Sequence, residues 1–435
     1  MDSDEPPSQA SSGLKTVRDP RVVAAGAIII LATTLWPLPP RGHSEELPFW
    51  CVLCGEYGTL DVLLNVLLFV PLGAGLRSLG ASHRWVVILA FSLSLVVEAL
   101  QAAVIPGRHA AFGDLLANSA GGLLGARVHD LWGRVARPRP ATARTYMALA
   151  FAGAIAVPSL ATLFLRPSPP STPVWWGQWA HELGGIPPFP GRVLDARLGT
   201  EPVPDGRLVN QVALRRVYTG SRVRFVVHVT AGGSAPGPAQ VAALADGGGG
   251  WVAAIWQDGE DAVLTLRHAS AGLGFRSPEA RVAGAFGVPP GTRLELGIEG
   301  RPGRIGAWRL AGPGHDSIGV RYALGPGHAW ALLWPWSVAF ERPPVGRTVL
   351  WLLGWFLLTT FATIGWARIA GHSPAGILLA AIALPVTLGV VPWVASQPAA
   401  PAWQWGAALV GSLLGAAAGT AAGNRPEIPQ RSSRT

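Results

Sequence analysis

Eight apolar runs, each about as long as a bilayer is thick, decide what this chain can fold into. A hydrocarbon core of ~30 Å is crossed by roughly 20 apolar helical residues. Runs of that length fall at about 21–38, 60–79, 85–105, 112–132 and 145–165, and again at about 348–370, 375–395 and 402–423. The expected fold class is a polytopic α-helical membrane protein of about eight transmembrane helices with an inserted extracytoplasmic β-sandwich domain. Composition agrees. Of the 435 residues, 49% are hydrophobic and 14% charged, where a soluble chain carries about 25% charged, and the mean hydropathy is +0.34. These values exclude a disordered chain and argue against a wholly soluble enzyme.

The runs set the domain limits. Residues 1–20 carry Asp2, Asp4 and Glu5 in a Ser/Pro-rich stretch, and read as a disordered cytoplasmic tail. They lack the basic start of a secretory signal. The first run leads into Trp36-Pro37-Leu38-Pro39-Pro40 without a small-residue cleavage site, so it reads as a retained span. A helical module of about five spans covers 21–165, a different texture covers 170–345, three further helices cover 347–423, and 424–435 form a second cytoplasmic tail. Orientation follows the Arg and Lys of short loops. With the N-terminus inside, the inside segments hold fourteen of them, while the short outside loops hold Arg41 and Arg108. Both termini are therefore expected in the cytoplasm and 170–345 outside. The net charge of +9 reads as this topology signal, and no nucleic-acid partner is expected. The lipid bilayer is the expected partner.

Residues 170–345 alternate with period two at Val223-Arg224-Phe225-Val226-Val227-His228-Val229 and at Arg293-Leu294-Glu295-Leu296-Gly297-Ile298. Trp251–Trp256 and Val263–Leu266, split by Gln257-Asp258-Gly259-Glu260-Asp261, predict a hairpin. Short strands punctuated by Asp246-Gly247 and Pro290-Gly291 predict a sandwich. Trp175, Trp176 and Trp179 at one border, and Trp330, Trp334 and Trp336 at the other, suit anchoring at the headgroup level; stacking on sugars is the alternative. Asp258, Glu260 and Asp261 read as a solvated hairpin turn rather than a calcium loop.

The residues with chemistry lie in or beside the early spans. Asp61 with Asn65, Glu98 with Gln101, and Asp114 with Asn118 are spaced three or four apart, which places each pair on one helix face. Alternating topology brings all six to the outer ends of their spans, with Arg108 in the loop between the third and fourth. Ionisable groups in a membrane are costly and turn toward partners. Three neighbouring carboxylates repel unless a cation compensates, and Arg108 is the evident one; a bound cation or cationic group is another. Asp61 and Asp114 stand at helix starts, where the dipole favours acids. Glu98 stands late in its span and lacks that reason. Two readings remain open: a hydrogen-bond network that fastens the helices, and a binding or catalytic site facing outward. Gly121 with Gly125, and Gly411, Gly415 and Gly419, form small-residue ridges suited to close helix packing. Cys51 and Cys54 fall in the first outer loop, where a local disulfide, free thiols, or a redox or metal role are the alternatives. No P-loop, G-x-S-x-G, H-E-x-x-H or dinucleotide fingerprint is present; no cofactor and no metal are expected.

The pattern D-x-x-x-N-x-x-L-F-x-P-x-G at Asp61–Gly73, then E-x-x-Q with P-x-R at Glu98–Arg108, then D-x-x-x-N-x-x-G-x-x-x-G at Asp114–Gly125, resembles the VanZ-like family of bacterial membrane proteins over about residues 20–140. That family takes its name from a protein linked to teicoplanin resistance. The resemblance implies a multi-pass protein of the bacterial cytoplasmic (inner) membrane and brings no settled reaction. Phe189–Leu198 is similar to a strand of concanavalin A-like or laminin-G-like sandwiches, which implies glycan binding by analogy. The leading expectation is recognition of a cell-envelope component, a glycan or lipid-linked wall precursor, at the outer face. A membrane enzyme acting on such a substrate, with Glu98 or Asp114 as general base, and a structural scaffold are the alternatives.

Overall fold

A computed structural model describes residues 20–35, 49–50, 52–53, 57–105, 111–181, 187–235, 237–247, 250–312, 317–334 and 339–422; Cys51, Cys54, Arg108 and Trp336 lie outside them. The chain divides into two units, one drawn from Met1–Pro39, Phe49–Val52 and Val62–Val135, the other from Pro40–Pro48, Leu53–Asp61 and Ala136–Thr435. Helices Gly58–Ser78, His83–Ala103, Pro140–Phe164, Val345–Ile369 and Ser373–Val394 are long and apolar enough to cross a membrane, and Pro20–Thr34 is a shorter apolar helix. The expected runs at 112–132 and 402–423 are helical too, over Phe112–Ala136 and Ala402–Ala422. The chain is a membrane protein with a β-rich region.

The first unit is built from α1 (Pro20–Thr34), α2 (Gly58–Ser78) from Val62 onward, α3 (His83–Ala103) and α4 (Phe112–Ala136). The Ser82 side chain caps α3 by accepting from Trp85 N at 3.4 Å. Ile30, Phe69, Leu72 and Ala90 form a buried cluster. Lipid is as apolar as leucine, so helices in a bilayer associate by close approach rather than by hydrophobic burial. Glycine supplies that approach here. A methyl on Gly73 would overlap the Gly122 carbonyl, one on Gly121 the Val66 carbonyl, and one on Gly125 the Val70 carbonyl. The ridge expected on α4 thus seats α2, and Gly122 receives Ala90 of α3.

The second unit begins, beyond the short segment Leu53–Asp61, with α5 (Pro140–Phe164). Its strands are β1 (Trp175–Trp179), β2 (Arg192–Leu198), β3 (Glu201–Pro202), β4 (Gly206–Arg207), β5 (Val223–Thr230), β6 (Ala239–Asp246), β7 (Trp251–Asp258), β8 (Asp261–Leu266), β9 (Glu279–Val282), β10 (Arg293–Arg301), β11 (Arg304–Ala311), β12 (Ile318–Ala323) and β13 (Ala339–Phe340). Helix α6 (Gln211–Tyr218) precedes β5. After the strands come α7 (Val345–Ile369), α8 (Ser373–Pro385), α9 (Val391–Val394) and α10 (Ala402–Ala422). A π-type turn, Val386–Val390, joins α8 to α9 between Pro385 and Pro392, neither of which has an N–H for the normal ladder.

The strands form two sheets, ordered β13-β9-β8-β7-β6-β1-β4 and β12-β11-β10-β5-β2-β3. All pairings are antiparallel except β13 with β9. Val227 and Val229 of β5 and Leu294, Leu296 and Ile298 of β10 share one buried cluster with Ile255 of β7 and Leu264 and Leu266 of β8. The expected hairpin is β7–β8, with Asp258 opposite Asp261 and Gly259 at φ +63 in the turn. On the six-stranded sheet half-buried positions carry a cross-strand ladder. His228 Nδ1 lies 2.6 Å from Asp195 Oδ1, and Glu295 Oε1 accepts from Arg224 at 3.2 Å and Trp308 Nε1 at 2.9 Å.

Two expectations are corrected. Trp175 is fully buried, edge-on to Tyr218 and covered by Arg215, and Trp330 is buried against Trp334 and Phe340 with its Nε1 donating to Thr348. Both indoles meet protein on every side, so neither serves as a headgroup anchor; Trp176 stays 40% exposed. Of the hairpin acids, Glu260 is exposed as expected, but Asp258 and Asp261 are not merely solvated. Arg281 reaches Asp258 at 2.8 Å and Asp261 at 2.9 Å. The glycine ridge of α10 packs on α7 as spacing predicts: methyls on Gly411 and Gly415 would overlap the Leu353 and Leu357 carbonyls.

Candidate functional site

The buried stripe of α3 is Val86, Ala90, Ser94, Val97, Glu98 and Gln101. It is apolar in its first half and polar in its second. The polar half is met by neighbouring helices rather than by its own. Asn118 of α4, only 2% exposed, donates through Nδ2 to Ser94 Oγ at 2.8 Å. Glu98, 4% exposed, accepts at Oε2 from Ala111 N at 2.9 Å. Gln101 Nε2 donates to Thr34 O, the last carbonyl of α1, at 2.9 Å. Asn65 Nδ2 of α2 donates to Asp114 Oδ1 of α4 at 2.6 Å.

Five of the seven expected residues, Asn65, Glu98, Gln101, Asp114 and Asn118, therefore gather at one end of this helical unit, where α2 and α4 begin and α1 and α3 finish. The bonds run between helices. Same-face spacing puts Asp114 and Asn118 one turn apart, yet each finds its partner elsewhere. Asp61 sits at the exposed start of α2. Arg108 lies outside the described residues, as do Cys51 and Cys54.

The geometry gives Glu98 the electrostatic reason that its own helix denies it. The Ala111 N–H that it accepts immediately precedes α4, so the carboxylate stands at the positive end of a neighbouring helix dipole. Asp114, in the first turn of the same helix, shares that field. One acceptor is left over: among the described residues, Asn118 Oδ1 is buried without a hydrogen-bond partner. Such an atom loses its water without compensation.

Ser94 and Thr34 are members that sequence reasoning missed. Ser94 carried a weak signal: it stands one turn before Glu98, in a run whose only other polar residue ahead of Glu98 is Ser92. At the opposite end of these helices Arg77 Nε lies 2.7 Å from Asp130 Oδ1 and His83 Nε2 3.0 Å from Asp130 Oδ2, a cluster also unforeseen.

These four helices coincide with a known sequence pattern. Residues 22–132 match the family model described as VanZ/LLP1. This segment is VanZ-like. The match runs from Val22 of α1 to Trp132 of α4, and includes Asn65, Glu98, Gln101, Asp114 and Asn118 together with the glycines that seat α4 on α2. No curated protein and no solved structure matches the chain. The family match ends before α5, so the β-rich region and the last helices lie outside the VanZ-like segment.

Proposed function

We propose that the VanZ-like segment recognises a cell-envelope component, a glycan or lipid-linked wall precursor, through the polar end of its helices. The observation that carries this reading is the orphan acceptor Asn118 Oδ1, one turn below the Asn65–Asp114 pair. A polar head group with hydrogen-bond donors would satisfy it. In the same reading the chain lies in a bacterial inner membrane with both termini cytoplasmic. Residues 170–345 lie outside, and their two sheets pack face to face as a concanavalin A-like sandwich. The Arg asymmetry between short loops supports the orientation.

A specific observation favours the scaffold alternative. Glu98, Gln101 and Asn118 each have a partner on a neighbouring element, which is how interhelical polar contacts fasten helices in a bilayer. The enzyme alternative keeps Glu98 or Asp114 as general base.

Full-length protein in nanodiscs, incubated with vesicles carrying a lipid-linked saccharide, separates the three. Asn118→Leu is expected to reduce captured lipid at least about tenfold, the worth of one buried polar contact, with a small change in thermal unfolding. Undiminished capture with a clearly lower Tm favours the scaffold. Turnover of the lipid that vanishes in Glu98→Gln and Asp114→Asn favours the enzyme.

A further inference from the structure

The seven-stranded sheet carries a pocket built wholly within the second unit. Strand β6 slips register against β7 between Leu244 and Ala245, and the slip brings Trp251 beside Trp256, ring centroids 5.4 Å apart and planes at 84°. Next to the two indoles stand Thr265 of β8 and its cross-strand partner Glu279 of β9. Arg267, Ala271 and Ser277 complete the strand-side wall, and Tyr57 closes the other side. The cavity holds about 140 Å³.

Tyr57 is fixed there by the fold. It immediately precedes α2, whose Leu60 N–H donates to Gly274 O at 3.1 Å. Gly274, at φ +71, leaves no room for a side chain, since a methyl would stand 2.8 Å from Thr59 Oγ1. Arg276 stacks on the Tyr57 ring at 4.2 Å.

The chemistry of this lining selects a ligand class. Trp251 and Trp256, set edge to face, and the Tyr57 ring, one face of which Arg276 covers, offer aromatic surface on which a ring can pack. A carboxylate, a guanidinium and three hydroxyls, those of Tyr57, Thr265 and Ser277, offer hydrogen bonds of both senses. One acid and one base leave no net charge to select an anion. The volume is below the ~300–1,000 Å³ of drug-sized sites, so it takes one small ring. A flat ring with apolar C–H faces and a rim of hydroxyls meets all of these terms. We propose that this pocket takes a single pyranose ring of an envelope saccharide. Because Tyr57 leads directly into a helix long enough to cross a membrane, a saccharide carried on a lipid is the natural source, and a free saccharide is the other. The proposal rests on the envelope-recognition reading only for the lipid-linked source; binding of a free sugar tests the pocket by itself.

The test uses the full chain in nanodiscs and ligand-observed saturation-transfer NMR. The probes are the methyl glycosides of glucose, mannose and N-acetylglucosamine, with sorbitol as a ringless polyol of matching hydroxyl content. At least one pyranoside is expected to bind in the millimolar range, and sorbitol not to bind. Glu279→Gln, nearly isosteric, should weaken binding about tenfold or more, the usual loss for a hydrogen bond to a charged group; Trp256→Ala should abolish it. No transfer to any pyranoside, equal transfer to sorbitol, or unchanged binding in Glu279→Gln would overturn the proposal, and the last result stands even if Trp256→Ala misfolds. A second arm compares free saccharide with the same sugar on a lipid in vesicles. Tighter capture of the lipid form assigns the membrane as source, and equal affinity assigns the free sugar. Sugar binding that persists while Asn118→Leu leaves lipid capture untouched would retain the pocket and remove the helical head-group site.

Discussion

Gly73→Val and Gly125→Val are expected to disrupt the VanZ-like helical unit almost completely. Ordinary overpacking costs about 1–3 kcal/mol because neighbouring side chains turn aside. Here the obstacle is backbone: the added carbon of Gly73 would meet the Gly122 carbonyl, and that of Gly125 the Val70 carbonyl. A carbonyl in a helix cannot turn aside without breaking its ladder, so α2 and α4 must separate and the penalty exceeds the usual range. Separation also parts Asn65 from Asp114, so any function of that cluster falls with the packing. Gly133→Ala is the control. It lies on α4 with Gly125, but an added methyl there meets nothing within 4 Å, and Gly to Ala in a helix interior is worth about 1 kcal/mol of stability. Unfolding of the full chain in detergent, followed by helical circular dichroism, should show Gly73→Val and Gly125→Val already unfolded or strongly lowered in Tm, with Gly133→Ala at or above the parent. A parental Tm for Gly73→Val would mean that α2 and α4 do not cross where the structure has them.

The same glycines show what could be read from the chain. Ridges of small residues at spacing four predict where helices touch, and Gly121, Gly125, Gly411 and Gly415 all meet a neighbouring backbone. Period-two alternation likewise located β5 and β10, because a strand's pattern depends only on its own two faces, and the turn residues between two short runs located the β7–β8 hairpin. The polar cluster was half legible. Helical spacing says which residues share a face, but not which helix that face meets. Asp114 therefore looked like a partner for Asn118, when Asn65 is its bonded partner. Glu98 looked electrostatically unsupported for the same reason. Its support is the start of α4, which belongs to another segment. The tryptophans misled more fully. An indole suits a headgroup layer and a core equally well, and only the folded sheets bury Trp175 and Trp330. Tyr57, in a loop far in sequence from β7, gave no signal that it would wall a pocket with Trp251 and Trp256.

Acidification between about pH 6.5 and 4 is expected to destabilise the β-rich unit more than any single conservative substitution in it. His268 and His328 are 1% and 3% exposed. Burial disfavours the imidazolium and holds both pKa values down, from 6.5 to about 4. Their surroundings are built for the neutral ring: His268 Nδ1 is buried without a partner among the described residues, and His328 Nδ1 accepts from Gly325 N at 3.2 Å. The sign follows from proton uptake. Below pH 6.5 the unfolded chain binds these protons and the folded one does not, so stability falls with falling pH until the folded pKa near 4 is reached. At 1.36 kcal/mol per pH unit each histidine costs roughly 3 kcal/mol over that window, a large share of a typical 5–15 kcal/mol domain stability. Asp261 and Glu299 add to the trend at lower pH. Burial pushes both carboxyls up, but the Gly284 N–H and Arg281 at Asp261, and Arg222 and Arg301 at Glu299, outweigh it and hold them below their ordinary values of 3.8 and 4.5. Their stabilisation is present above those values and is lost as pH falls through the lower folded ones. The histidine and carboxylate contributions therefore separate along the pH axis. Denaturant midpoints of the full chain in nanodiscs, followed by β-sheet circular dichroism at pH 7.5, 6, 5 and 4.5, should drop steeply across the series. In His268→Gln combined with His328→Gln the slope above pH 5 should largely vanish, whatever the double variant's absolute stability. A parental slope that survives in that variant would show that neither imidazole resists protonation in the folded state.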